Sequence, residues 1–253
     1  MARLARACFQ DPFGSSKVDR EQGKGDMSDQ REGLSYSVDL ALCVDATGSM
    51  SPVIDLVKEN ALRFYDDVMR SMAHKQKRIN DLRTRVIVFR DLHVDGSEAI
   101  IASPFFKLPD ERSGLADFVG TISASGGGDE PESGLEALAE AIRSDWVRTG
   151  DRRRHVVVLW TDASAHRLED ATKRATPGYP TDMPGSFGEI TALWEGQKMD
   201  RAAKRLLIYA PDAYPWNDIQ GAWENVVHIV SKAGQGLQEV DYSGVIEVIA
   251  NSI

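Results

Sequence analysis

Cysteine is scarce, with two in 253 residues. That excludes a disulfide framework and favours a reducing compartment, so a cytoplasmic location is expected. Cys43 lies inside an apolar run and reads as a small buried residue. Long hydrophobic runs are missing too: no stretch approaches the about 18 residues of a membrane span. The N-terminal MARLARACFQDPFG lacks a continuous apolar core and a small-residue cleavage site, so it is not read as a signal peptide. Positive charge is in deficit, 30 Lys and Arg against 39 Asp and Glu, for a net charge of −9. General nucleic-acid binding needs a basic face and is not expected. The triplet Arg152-Arg153-Arg154 reads as the solvated entry to a strand. Several enzyme signatures are also missing. Gly126-Gly127-Gly128 is followed by no Gly-Lys-Ser/Thr, there is no Gly-x-Ser-x-Gly elbow, and no Gly-x-Gly-x-x-Gly follows the first strand.

What is present is an ordinary globular composition, 42% hydrophobic and 27% charged. Residues 1–35 are polar and aperiodic and are expected to form a flexible N-terminal tail, with one domain over 36–253. From Tyr36 apolar strands alternate with amphipathic helices. Strands are expected at 36–44, 83–89, 98–106, 155–160, 205–210 and 225–230. The 98–106 strand follows an Asp95-Gly96 turn and should pair antiparallel with its predecessor. Helices are expected at 52–74, 113–122, 189–203, 217–223 and 239–252, with another opening at the Gly-rich segment and running to about Trp146. Pro131 suits the first turn of that last helix. The pattern predicts an α/β fold, Rossmann-like: a mostly parallel sheet of about six strands with one antiparallel edge strand and helices on both faces.

In such a sheet, ligands bind beyond the carboxyl ends of the strands, where strand order reverses. The first strand ends in Asp45-Ala46-Thr47-Gly48-Ser49, and the 155–160 strand ends in Thr161-Asp162. The segment Gly126-Gly-Gly-Asp-Glu-Pro-Glu132 opens the helix between them. If those two strands are neighbours, Asp45, Thr47, Ser49, Asp129 and Asp162 share one crest. All five are oxygen donors, which suits Mg²⁺, Mn²⁺ or Ca²⁺ better than zinc. Gathered carboxylates also repel one another, a cost that a divalent ion removes. Asp91, ending the 83–89 strand, and His166, beyond Asp162, are candidates for a supporting shell.

Three segments carry a resemblance. Asp45-Ala-Thr-Gly-Ser49 fits the D-x-S/T-x-S signature of von Willebrand factor A (vWA) domains. Thr161-Asp162-Ala163 resembles that family's third metal-site element, and Gly126-Gly-Gly-Asp-Glu-Pro-Glu-Ser-Gly-Leu135 has the frame of the second, with Asp129 in the usual threonine position. The similarity covers residues 36 to about 250. With Phe89-Arg-Asp91 and Trp160-Thr-Asp-Ala-Ser-Ala-His166, it looks like an intracellular subgroup that includes alpha-kinase-associated domains and bacterial tellurium-resistance-like or MoxR-associated forms. The resemblance implies a non-catalytic, metal-dependent adaptor or sensor. Thr47 and Ser49 would bind the cation directly, and Asp45 and Asp162 mainly through water. The partner would be a protein, such as an ATPase, kinase or phosphatase of the same system. A third carboxylate at Asp129 would leave the site net negative, holding metal firmly but attracting a partner's acid less.

Plainer readings compete. Ser49 or Ser51 could cap the helix from Pro52, Asp162 the next helix, and Asp129 a helix begun by Glu130-Pro131. Glu130 and Glu132 read as first-turn acids favoured by the helix dipole rather than as ligands. The 175–188 loop, with Tyr179 and Phe187, could be an interaction surface. Two other functions remain in play: a Mg²⁺-dependent phosphotransfer enzyme with Asp45 as nucleophile, and a nucleotide-binding Rossmann module.

Overall fold

The computed structural model describes residues 35–127, 130–235, 237 and 241–253. The expected tail over 1–35 therefore lies, apart from Ser35, outside the described residues, as does Asp129.

Among the described residues a seven-stranded sheet has the order β3 (Ile100–Ala102), β2, β1, β5, β6, β7, with β4 (Phe106–Leu108) also pairing β2. Its centre is β1 (Ser35–Asp45), parallel to β2 (Arg78–Phe89) on one side and to β5 (Arg152–Trp160) on the other. Beyond β5 run β6 (Lys204–Pro211) and β7 (Val226–Ser231), both parallel. Strand order thus reverses between β1 and β5, the place where side chains beyond the strand ends converge.

Alternation along β1 divides the interior. Val38, Leu40, Leu42 and Val44 enter one core with α1 (Ser51–Asn60), α2 (Phe64–His74), α4 (Arg112–Thr121) and α9 (Tyr242–Ser252). Ala41 and Cys43 enter the other with α5 (Gly134–Ile142), α7 (Phe187–Glu195) and α8 (Trp216–Ala222). A strand buried on both faces must be apolar at successive positions, as β1 is over Leu40–Val44. Two further short helices are α3 (Leu92–Asp95) and α6 (Ala171–Arg174). Cys43 is fully buried, its thiol pushed up to about 12 by burial.

Three expectations are corrected. The helix over 52–74 is two helices, broken after Asn60. Asn60 is buried and its side-chain amide donates to the Leu56 carbonyl at 2.7 Å, competing with the helical ladder. The antiparallel strand over 98–106 is two pieces, β3 (Ile100–Ala102) and β4 (Phe106–Leu108), so the edge carries two short antiparallel segments rather than one strand. Pro104 stands between them and has no N–H to offer. The Ser103 hydroxyl covers the break by accepting from Val86 N at 3.0 Å. Finally, α5 begins at Gly134, not at Pro131. A Cβ at Gly134 would stand 2.8 Å from the Trp216 ring, so only glycine admits this close approach.

Candidate metal site at the sheet crest

The register Val44↔Trp160 sets Asp45 beside Thr161 at the carboxyl ends of β1 and β5. Asp45 is fully buried. Its Oδ1 accepts from Thr47 N at 2.9 Å and from Thr47 Oγ1 at 2.7 Å, and its Oδ2 accepts from Thr161 Oγ1 at 2.6 Å. Ser49 Oγ donates to Asp162 Oδ1 at 3.0 Å and lies 3.5 Å from Thr47 Oγ1. A continuous chain of oxygens therefore runs Thr161–Asp45–Thr47–Ser49–Asp162. Thr47 and Asp162 are buried and Ser49 is exposed, so the chain opens to solvent at one end. Burial is the main cause that raises the Asp45 pKa to about 6; hydrogen bonds from Thr161 and Thr47 oppose it, and the Asp162 charge adds to it.

The capping readings do not hold for this loop. Helix α1 has Met50 at its N-cap with no side-chain cap bond, and Ser49 is turned to Asp162 instead. The helix after Asp162, α6, is capped by Asp170, whose side chain accepts from Thr172 N and Lys173 N. Because α5 starts at Gly134, Asp129 is too far upstream to cap it, and its own placement lies outside the described residues.

The Gly-rich segment is tied to the same crest. Ser125 N donates to the Ala46 carbonyl at 3.0 Å, and Gly127 N donates to Asp95 Oδ2 at 3.0 Å. Gly127 has φ +74°, and a Cβ there would stand 2.6 Å from Thr47 Cγ2 and 3.0 Å from Glu132 Oε1. This glycine is needed both for its backbone and for the space. Glu132 is then held in extended conformation: its N donates to Ser164 O at 2.9 Å, and its carbonyl accepts from His166 N at 3.0 Å. Its side chain is only 4% exposed, and Oε2 has no hydrogen-bond partner among the described residues. Burial first, then the charges of Asp45, Asp91 and Asp95, push its pKa up to about 8, with Lys173 opposing.

Asp91 and His166 meet each other rather than the oxygen chain. His166 Nε2 stands 3.2 Å from Asp91 Oδ1. The same Oδ1 caps α3 by accepting from His93 N at 2.9 Å. Burial works against ionisation of Asp91, but His166, the His93 amide and Lys173 outweigh it and lower its pKa. Beneath them, buried Lys173 lies 3.3 Å from Glu136 Oε1, which also accepts from Tyr179 OH at 2.9 Å. Burial lowers the Lys173 pKa, with Glu136 and Asp91 opposing. Tyr179 therefore serves the interior, and Phe187 packs on Tyr214 and Trp223, so both aromatics near the 175–188 loop face the core.

Sequence reasoning missed Thr161, Glu132 and Lys173. Thr161 becomes visible once β1 and β5 are placed in register. Glu132 was hidden by the expectation of an earlier helix start. Lys173, in a helix of one turn, carries no periodic signal.

The donor set fits a hard divalent cation, since two carboxylates and three hydroxyls meet with no nitrogen or sulfur among them. Among the described residues no three Asp, Glu, His or Cys side chains converge on one point. A cation here would rest on two acids with hydroxyls, or draw in a third acid.

No protein-family model matches the chain, and no curated protein matches it. Solved structures resemble its fold. The pilus adhesin SpaC from Lactobacillus rhamnosus GG aligns with a TM-score of 0.51 at 12% identity, over 85% of this chain and 30% of the adhesin chain. Proximal thread matrix protein 1 from the mussel byssus aligns at a TM-score of 0.48 and 9% identity, over 87% of this chain and 49% of that one. The chain spans less than half the length of either. The class defined is an α/β domain with a mostly parallel sheet, and at such identity the likeness speaks for the fold alone.

Proposed function

We propose that this chain is a metal-dependent protein-interaction module of the vWA type, an adaptor or sensor that binds Mg²⁺ or a similar divalent cation at the sheet crest and a protein partner there. The observation that carries the reading is the hydrogen-bonded chain from Thr161 to Asp162 at the strand-order switch point. It gathers hard ligands from two strand ends that a purely structural turn does not need. Ser49, at its solvent-facing end, is the natural place for a partner to meet the cation.

A non-catalytic role is supported by Asp45 itself. Both its oxygens are occupied by three hydrogen bonds and the group is wholly buried, a poor arrangement for a nucleophile. The test is thermal unfolding after chelation, with and without Mg²⁺ or Mn²⁺, for wild type, Asp45→Ala and Ser49→Ala. The reading expects a metal-dependent rise in wild type that disappears in Asp45→Ala and shrinks in Ser49→Ala. Ser49 is exposed, so that variant retains its fold. No rise in wild type would remove the metal from the function.

A further inference from the structure

Among the described residues, Glu132 is the acid at this crest that the fold buries with an oxygen left over. Its backbone is pinned on both sides, by Ser164 O and His166 N, so its placement is rigid rather than incidental. Its Oε1 lies 3.0 Å, and the Thr47 Cγ2 methyl 2.6 Å, from the position a Cβ on Gly127 would take, so the side chain reaches the Thr47 loop of the crest. Its Oε2 is unpartnered among the described residues, although the side chain is 96% removed from solvent by its 4% exposure. A buried carboxylate oxygen left without a partner is costly, and a bound ion is one of the ways such a group is satisfied. A divalent cation at the crest would give that free oxygen a partner.

We propose that Glu132 is a direct ligand of the cation, the third carboxylate of the site, swinging its free oxygen towards Thr47 and Asp45 when metal is present. This rests on the metal reading of the crest. It carries a consequence for the partner. With Asp45, Asp162 and Glu132 ionised, the site with a divalent ion is net negative. The loaded site therefore selects a partner that offers a neutral or basic group, not one that brings its own carboxylate to complete the coordination.

The experiment is Mn²⁺ titration by calorimetry on the full chain, wild type against Glu132→Gln and Asp45→Asn, with melting of each metal-free protein alongside. Outer-shell changes at metal sites cost about 10- to 100-fold in affinity, so loss of a direct ligand should weaken Mn²⁺ by at least about tenfold. Glu132→Gln should melt no lower than wild type without metal, because the isosteric amide keeps the packing of the side chain. Weaker Mn²⁺ binding without a lower metal-free melting point marks a ligand. Wild-type Mn²⁺ affinity in Glu132→Gln, with Asp45→Asn impaired, would overturn the proposal and leave the metal site standing. Weakened affinity together with a lower metal-free melting point would make Glu132 structural and overturn it as well. Failure of wild type to bind Mn²⁺ would sink the metal reading and this proposal together.

Discussion

At the scale of single residues, the crest is a contest between burial and hydrogen bonding. Asp45 and Glu132 both hold protons more tightly folded than unfolded, at about 6 and about 8 against ordinary values of 3.8 and 4.5. The sign follows from linkage: a raised acid favours the native state while protonated, and that contribution is lost as pH rises through the folded value. Metal-free wild type should therefore lose stability relative to Glu132→Gln as pH climbs from the ordinary carboxylate range through about 8. Melting both proteins in chelator at several pH values checks this; a difference independent of pH contradicts it. Added Mg²⁺ should close the gap most at the alkaline end, because the cation takes the deprotonated acids. Thr161 works the other way, donating to Asp45 at 2.6 Å. Thr161→Val leaves that buried oxygen unsatisfied and should cost about 1–3 kcal/mol, read from the urea midpoint.

At the scale of elements, loops rather than helices set the site, and glycine sets the loops. Gly127→Ala forces a side chain into left-handed backbone, worth about 1–2 kcal/mol, and into Thr47 at 2.6 Å. The Gly-rich segment must shift, and the metal-dependent rise in melting temperature should vanish. Gly48→Ala is the matched control, since a Cβ there meets nothing within 4 Å. Equal responses from the two variants would show that the segment does not shape the site. The same segment explains what could be read from sequence and what could not. Asp45, Thr47, Ser49 and Asp162 lie at strand ends, and strand ends are legible from apolar runs. Glu132 belongs to a stretch whose conformation depends on distant backbone, Ser164 and His166, and no local pattern announces that. The break at Asn60 is of the same kind, one polar side chain turned inward against a periodicity that runs straight through it.

At the scale of the whole molecule, two cores hold β1 from opposite sides and fix where its end points. Leu40 is fully buried in one of them. Leu40→Ala should cost about 2–5 kcal/mol with or without metal. The stabilisation added by a cation at ~100 times its dissociation constant, about 2.7 kcal/mol, should survive the change. Denaturant titrations of both proteins with and without Mg²⁺ separate the two effects. A lost metal increment in Leu40→Ala would mean that the crest and the core are not independent. No helix among the described residues is long and apolar enough to cross a membrane.

From its sequence alone this protein is an alternating α/β chain with a strand that must be buried on both faces and a crest rich in oxygen ligands. Those features are local: periodicity, the residues that end a strand, and the chemical type of each side chain. Only the tertiary structure decided that β1 and β5 are neighbours, that Thr161 therefore meets Asp45, and that Glu132 is buried at the same crest with Oε2 unpartnered among the described residues. Pairing between segments more than a hundred residues apart is selected by the packing of two whole cores, which no short stretch encodes.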